Sequence, residues 1–203
     1  MNKRGILIVL SGPSGCGKGT VLAEFFKSHP ETFYSISATT RSPRVGEQDG
    51  VHYYFYTKDA FESLIEKGGM LEYAVYCDHY YGTPKAPVFA ELEKGHDVIL
   101  EIEVQGAFQV KQRVPEAVMV FIAPPSLQEL RLRLEGRQTD SQEVIEKRLA
   151  AAKKEIEWAS KYEYLIINDQ VTLAKQRLET IISAEKLRVS QMKEEINEVL
   201  KNA

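Results

Sequence analysis

The chain has 203 residues, 43% of them hydrophobic, enough for a substantial core in one domain or in one domain with insertions. Its 26 basic and 29 acidic residues leave a formal charge of −3, which argues against non-specific nucleic-acid binding, so any anionic ligand needs a local cluster of cations. Cys16 and Cys77 lack metal-ligand spacing, the N-terminal apolar run is too short for a signal peptide, and no stretch approaches the ~18 apolar residues of a membrane span; the expectation is a soluble cytoplasmic protein with reduced thiols and no membrane contact.

In chain order, apolar runs alternate with helical patterns, as a parallel α/β sheet requires. Strands are predicted at 5–10 (GILIVL), 33–37 (FYSIS), 97–102 (DVILEI), 117–122 (AVMVFI) and 163–167 (EYLII). Helices are predicted at 18–28, 104–113, 126–135, 141–160 and 170–200. Leu127, Leu130 and Leu134 give the third of these an apolar stripe, and Ser126 suits its N-cap. Residues 40–95 break the rhythm with Pro, Gly and Asp-Gly turn signals followed by aromatic alternation. That segment reads as an inserted α/β subdomain with helices near 58–67 and 86–94. The core is then about 1–39 and 96–203, and a second irregular piece, "EGRQTDS" at about 135–141, lies between two helices and carries an arginine. The charged C-terminal stretch reads as a solvated helix packed by one face. No surface pattern is decisive for oligomeric state, and a homo-oligomer is left open.

The first strand feeds "SGPSGCGKGT", residues 11–20, which meets the phosphate-loop spacing G-x-x-x-x-G-K at Gly12, Gly17 and Lys18. Loop amides and a helix N-terminus cradle phosphate oxygens, and Lys18 adds a full charge. The position that normally carries the metal-binding hydroxyl is Gly19, with Thr20 one residue later. Either the loop binds without catalysing, or Mg²⁺ is held by nucleotide phosphates and water with carboxylates farther off. "GKGT" resembles the loop of nucleoside monophosphate kinases such as adenylate kinase, which favours catalysis.

A second cluster, "SATTRSPRVGEQDGVHYY" at 37–54, places Arg41 and Arg44 near Ser37, Thr40, Tyr53 and Tyr54, a set suited to phosphate oxygens. The strand at 97–102 runs into Glu101 and Glu103, spaced for one face. With "TTRSPRVGE", "DGVHYYF", "YYGTP", "LEIEVQG", "FIAPPS", "RLEGR" and "IINDQ" following the loop in order, essentially the whole chain resembles the guanylate kinase family. The resemblance implies a P-loop NTPase-type parallel sheet flanked by helices, with a nucleoside-monophosphate-binding insertion and a lid. It also implies the reaction ATP + GMP ⇌ ADP + GDP with Mg²⁺, and dGMP as a further acceptor.

Carried over motif by motif, the implied GMP site is Ser37, Arg41, Arg44, Tyr53, Glu72, Tyr81, Thr83 and Glu101, with Glu103 beside it. Arg41, Arg44, Tyr53 and Tyr81 would grip the 5′-phosphate. Ionised Glu72 offers two acceptors to guanine N1–H and the 2-amino group, and a hydroxyl of Ser37 or Thr83 can donate to O6. The implied ATP site is Gly12, Pro13, Ser14, Gly15, Cys16, Gly17, Lys18, Gly19 and Thr20, with Arg133, Arg137 and Arg148 closing over the phosphates and Asn168 meeting adenine. Lys18, Arg41, Arg137 and Arg148 are the expected catalytic cations. Glu101 and Glu103 can orient Mg²⁺ through water, or a sugar or base; no direct protein ligand to the metal is assigned. Cys16 is expected to fill a variable loop position. The four histidines, His29, His52, His79 and His96, are scattered, which suits a reaction whose acceptor is already an anion. Two rivals remain: a non-catalytic peptide-binding scaffold of the same fold, and a kinase for another nucleoside monophosphate.

Overall fold

The computed structural model describes residues 3–136 and 140–201. Arg137, expected to act from the lid, lies outside the described residues. Elements in chain order are β1 (Leu7–Ser11), α1 (Lys18–Ser28), β2 (Phe33–Tyr34), β3 (Ala38–Thr39), β4 (Tyr54–Phe55), α2 (Lys58–Glu66), β5 (Met70–Tyr76), β6 (His79–Pro84) and α3 (Lys85–Glu93). They continue with β7 (Val98–Glu101), α4 (Val104–Arg113), β8 (Val118–Ala123), α5 (Leu127–Glu135), α6 (Gln142–Glu157), β9 (Tyr164–Ile167), α7 (Val171–Lys186) and α8 (Lys193–Lys201).

β1 and β8 are buried along their whole length because helices cover both faces of their sheet. That sheet has five parallel strands in the order β2-β7-β1-β8-β9. On one face, Ile8, Leu10 and Val120 pack with Val21, Leu22 and Phe25 of α1 and Leu178 and Ile181 of α7. On the other, Val9, Leu100 and Met119 pack with Val88 and Leu92 of α3 and Ala107 and Val110 of α4. β1 is central, and the chain leaves it for β2 on one edge but reaches β9 on the other. The carboxyl ends beside β1 therefore form a topological switch point, where open α/β sheets bind ligands.

The second sheet has four strands in the order β4-β3-β6-β5, with β3/β6 and β5/β6 antiparallel. β5 and β6 form a hairpin whose turn residues Cys77 and Asp78 have φ of 47° and 62°; two positive-φ positions match the right-handed twist of the strands. The expected strand 33–37 divides: Ser35 N still bonds Ile99 O at 3.0 Å, but Ala38–Thr39 pair with Gly82 and Tyr81 in the other sheet. Local patterning carries no signal for a change of sheet. The expected helix 141–160 closes instead with a 3₁₀ turn at Trp158–Lys161. The expected helix 170–200 is also interrupted, ending at Lys186 before a 3₁₀ turn at Val189–Gln191 and a separate α8. Ile181, Ile182 and Glu185 are the last buried positions of α7, so beyond them no core contact holds a continuous helix.

Candidate active site

The phosphate loop joins β1 to α1. Gly17 has φ 93° and serves as the N-cap of α1; a Cβ there would lie 2.5 Å from Asn168 Nδ2, so only glycine permits both the turn and the contact. No side chain caps α1, which leaves its first N–H groups and its positive end open to an anion. Lys18 Nζ donates to Gly12 O at 2.6 Å and Pro13 O at 3.2 Å, which keeps the ammonium against the loop. Gly19 faces open space. Its missing hydroxyl is therefore not a steric demand of the fold.

Three side chains tie the loop to its surroundings. Asn168, at the end of β9 and 2% exposed, donates from Nδ2 to Cys16 O at 2.8 Å. Arg133 of α5 donates to Cys16 O at 3.3 Å, Asn168 O at 3.0 Å and Glu129 Oε1 at 2.9 Å. Arg148 of α6 reaches Ser14 Oγ at 2.9 Å and pairs with Asp140. Gly15, Gly17, Thr20, Arg133 and Asn168 share a cavity of about 310 Å³ with Asp169 and Val171. The Cys16 side chain is buried in the core beneath the loop, and burial pushes its thiol pKa up, as suits a filler rather than a nucleophile.

Across the switch point, Ser37, Tyr53, Glu72, Tyr81, Glu101 and Glu103 line a cavity of about 530 Å³. Thr83 is not in its wall; 1% exposed, it lies behind Glu72 and donates from Oγ1 to Glu72 Oε1 at 2.7 Å. With its one proton committed to that bond, Ser37 is the hydroxyl left to donate to a base. Glu72 is 7% exposed. Burial raises its pKa, while the Thr83 bond and the charge of Arg113 oppose the rise. Arg41 lies 5.5 Å from the Tyr53 ring centroid and bonds both oxygens of Glu47 at 2.9 Å, so its guanidinium plane is fixed beside the cavity. The Arg41 hydrogen bond, followed by the Arg44 amide, holds Glu47 down at about 2. Arg44 is exposed and meets this cluster through its backbone N–H, 2.7 Å from Glu47 Oε2.

Several contributors escaped the sequence reading. Glu47 had a signal: it follows Arg41 by six residues and Arg44 by three in "RSPRVGE", across a turn closed by Glu47 N bonding Arg44 O. Asp140 lies two helical turns before Arg148, just ahead of the Ser141 cap. Tyr34 had none, because only the β2/β7 register brings its hydroxyl to Glu101 Oε2 at 3.2 Å. The Tyr34 ring is exposed, but local desolvation of its hydroxyl, then the Glu101 charge, pushes the phenol up and keeps it a donor. Glu155 of α6 is half-buried, which raises its pKa, and its charge couples to Lys18 and Glu103.

No histidine lines either cavity among the described residues. His29 stacks on Phe25, His52 accepts from Gln48 N, and His96 pairs with Glu91. Nor do the described residues hold a cluster of three or more potential metal ligands. A smaller cavity of about 150 Å³ at the amino end of the first sheet sets Arg4, Lys111 and Arg188 against Glu116, Glu163 and Glu185, and lacks a glycine cradle.

The family model described as guanylate kinase matches residues 4–185. The guanylate kinase of Lactococcus lactis is 56% identical over 192 residues, covering 95% of this chain and 94% of that protein. The guanylate kinase of Streptococcus pneumoniae is 57% identical over 186 residues, 91% of this chain and 89% of its own length. Among solved structures, the guanylate kinase from Anaplasma phagocytophilum aligns with a TM-score of 0.72 at 30% identity, over 93% of this chain and 90% of that one.

Proposed function

The chain belongs to the guanylate kinase family, and we propose that it transfers the γ-phosphoryl group of ATP reversibly to GMP and dGMP, giving ADP and GDP or dGDP in guanine-nucleotide recycling. The carrying observation is Glu72, a buried carboxyl backed by Thr83 in a cavity that also holds Tyr53 and Tyr81 and lies beside Arg41. An acceptor pair in that position suits the adjacent N1–H and 2-amino donors of guanine. Adenine, with an acceptor at N1, leaves Glu72 unmatched, a penalty that can reach ~10⁴-fold.

The remaining groups align and neutralise charge. The loop amides and Lys18 hold the donor's phosphates, and Arg148, already on Ser14, extends the cationic wall. Arg41, with its plane set by Glu47, takes the acceptor phosphate together with Tyr53, Tyr81 and the exposed Arg44. The acceptor is an anion, so no base removes a proton; the chain's task is to line up two like-charged groups and exclude water. The carboxylates present fit Mg²⁺ as outer partners: Glu101 and Glu103 would hold it through its waters, since no three potential ligands cluster among the described residues. Bound with ATP, such an ion would supply positive charge to offset that of the phosphates. Residues 40–95 would close on the core at 1–39 and 96–203, with 135–141 as lid, in a cytoplasmic enzyme; no helix among the described residues is long and apolar enough to cross a membrane.

A coupled assay with ATP against GMP, dGMP, AMP, UMP and CMP tests the reading. GMP and dGMP should turn over, and Lys18→Ala should lower kcat by about 10²–10³-fold while remaining folded. Equal turnover of AMP, or near-normal turnover by Lys18→Ala, refutes it.

A further inference from the structure

Glu72 sits where its own sheet holds it least. β5 is an edge strand, and its register against β6 shifts between Met70 and Glu72, so the extra residue Leu71 interrupts the ladder beside the carboxylate. What meets this edge is not a strand but one face of α4. Gln109 accepts from Tyr73 N at 3.2 Å and donates to Tyr73 O at 3.0 Å, so its amide bonds both polar groups of one residue as a neighbouring strand would. Arg113 donates to Leu71 O at 2.5 Å, taking the carbonyl that the bulge leaves out of the ladder. At the other end of that face, a Cβ on Gly106 would lie 2.7 Å from Glu72 Oε2. Positions 106, 109 and 113 follow helical spacing, so one surface receives the carboxylate and clamps the backbone on either side of it.

We propose that Gly106 and Gln109 are specificity-determining positioning residues for the acceptor base: Gly106 leaves the space that Glu72 Oε2 occupies, and Gln109 fixes β5 so that the carboxylate keeps its aim. The proposal rests on the reading of Glu72 as the guanine selector. One oxygen of Glu72 is held by Thr83 and the other abuts Gly106. Any side chain at 106 must therefore push Oε2 away, at the cost of the Thr83 bond or of the β5 position. Loss of the Gln109 amide frees the strand segment that carries the selector.

The test compares Gly106→Ala, Gln109→Met and Glu72→Gln with the parent chain, measuring KM for GMP, KM for ATP, the preference for GMP over IMP, which lacks the 2-amino group, and the melting temperature. Alanine is the better helix former, but its Cβ must displace Glu72, so a glycine needed for packing alone predicts a changed melting temperature with an unchanged GMP/IMP preference. The expected result is instead a KM for GMP raised about tenfold in Gly106→Ala, with a collapsed GMP/IMP preference and KM for ATP within about twofold. Gln109→Met keeps length without the amide and should raise KM for GMP in the same direction, with faster hydrogen exchange at the Tyr73 amide. If Glu72→Gln abolishes the GMP/IMP preference while Gly106→Ala and Gln109→Met retain it, the positioning role is wrong and the selector stands. If Glu72→Gln also retains it, the selector reading falls and the proposal with it. Should Gln109→Met fail to fold, Gly106→Ala decides the matter.

Discussion

Burial of Glu72 raises its pKa, and the Thr83 hydroxyl and the charge of Arg113 only partly oppose this. If Glu72 is the guanine selector, the base needs its ionised form, so GMP affinity should fail on the acid side at a higher pH than it would with an unburied carboxylate. The stability sign is opposite: a carboxyl raised in the folded state costs stability as pH climbs through its shifted value, so acidification relieves the empty site while weakening GMP binding. Titrating KM for GMP in the parent chain and in Glu72→Gln separates this from the GMP phosphate, which titrates near pH ~6 in both. Superimposable curves would remove Glu72 from the binding step. Glu47 runs the other way: held at about 2, it keeps Arg41 oriented throughout the working range and loses that contribution only as pH falls from the ordinary carboxylate range through that value. Arg41 was legible in the sequence as a phosphate-binding type; its partner Glu47 had only the weak signal of its spacing in "RSPRVGE", which the turn closed by Glu47 N and Arg44 O makes into a contact.

Secondary elements show where local chemistry suffices. Ser126 and Ser141 accept from Glu129 N and Val144 N at the starts of α5 and α6, as a serine ahead of an apolar stripe suggests. Of the expected stripe, Leu127 in the first turn stays exposed, because none of the buried clusters among the described residues reaches it, and the other two leucines decide packing. Leu130 and Leu134 are fully buried with Ile145 and Leu149 of α6, and both approach the position a Gly15 Cβ would take. These helices therefore buttress the phosphate loop from behind. Leu130→Ala should cost about 2–5 kcal/mol in denaturant unfolding and raise KM for ATP more than KM for GMP. An equal rise in both KM values would show that the helices do not support the loop selectively.

At the scale of the molecule, α8 lies outside the cooperative core. None of its residues is buried; Ile196, Val199 and Leu200 are exposed, and Lys3 meets it through a partly exposed pair with Glu195 at 3.1 Å. Removing residues 193–203 should cost less than about 1 kcal/mol and leave kcat unchanged. A melting temperature lowered by more than about 4 °C would mean that α8 is part of the folding unit. The sequence by itself determined the alternation of strands and helices and the glycine loop with its lysine, because periodicity, caps and loop spacing are properties of neighbours along the chain; the full acceptor-site set was implied by the resemblance of its motifs to the family's. Only the tertiary structure decided that residues 33–39 divide between two sheets, that Tyr34 meets Glu101, that Thr83 commits its proton to Glu72, and that α4 clamps the edge of β5. Each of those depends on strand order and register between segments tens of residues apart. There the governing terms are burial of charge and satisfaction of edge hydrogen bonds, which no local pattern encodes.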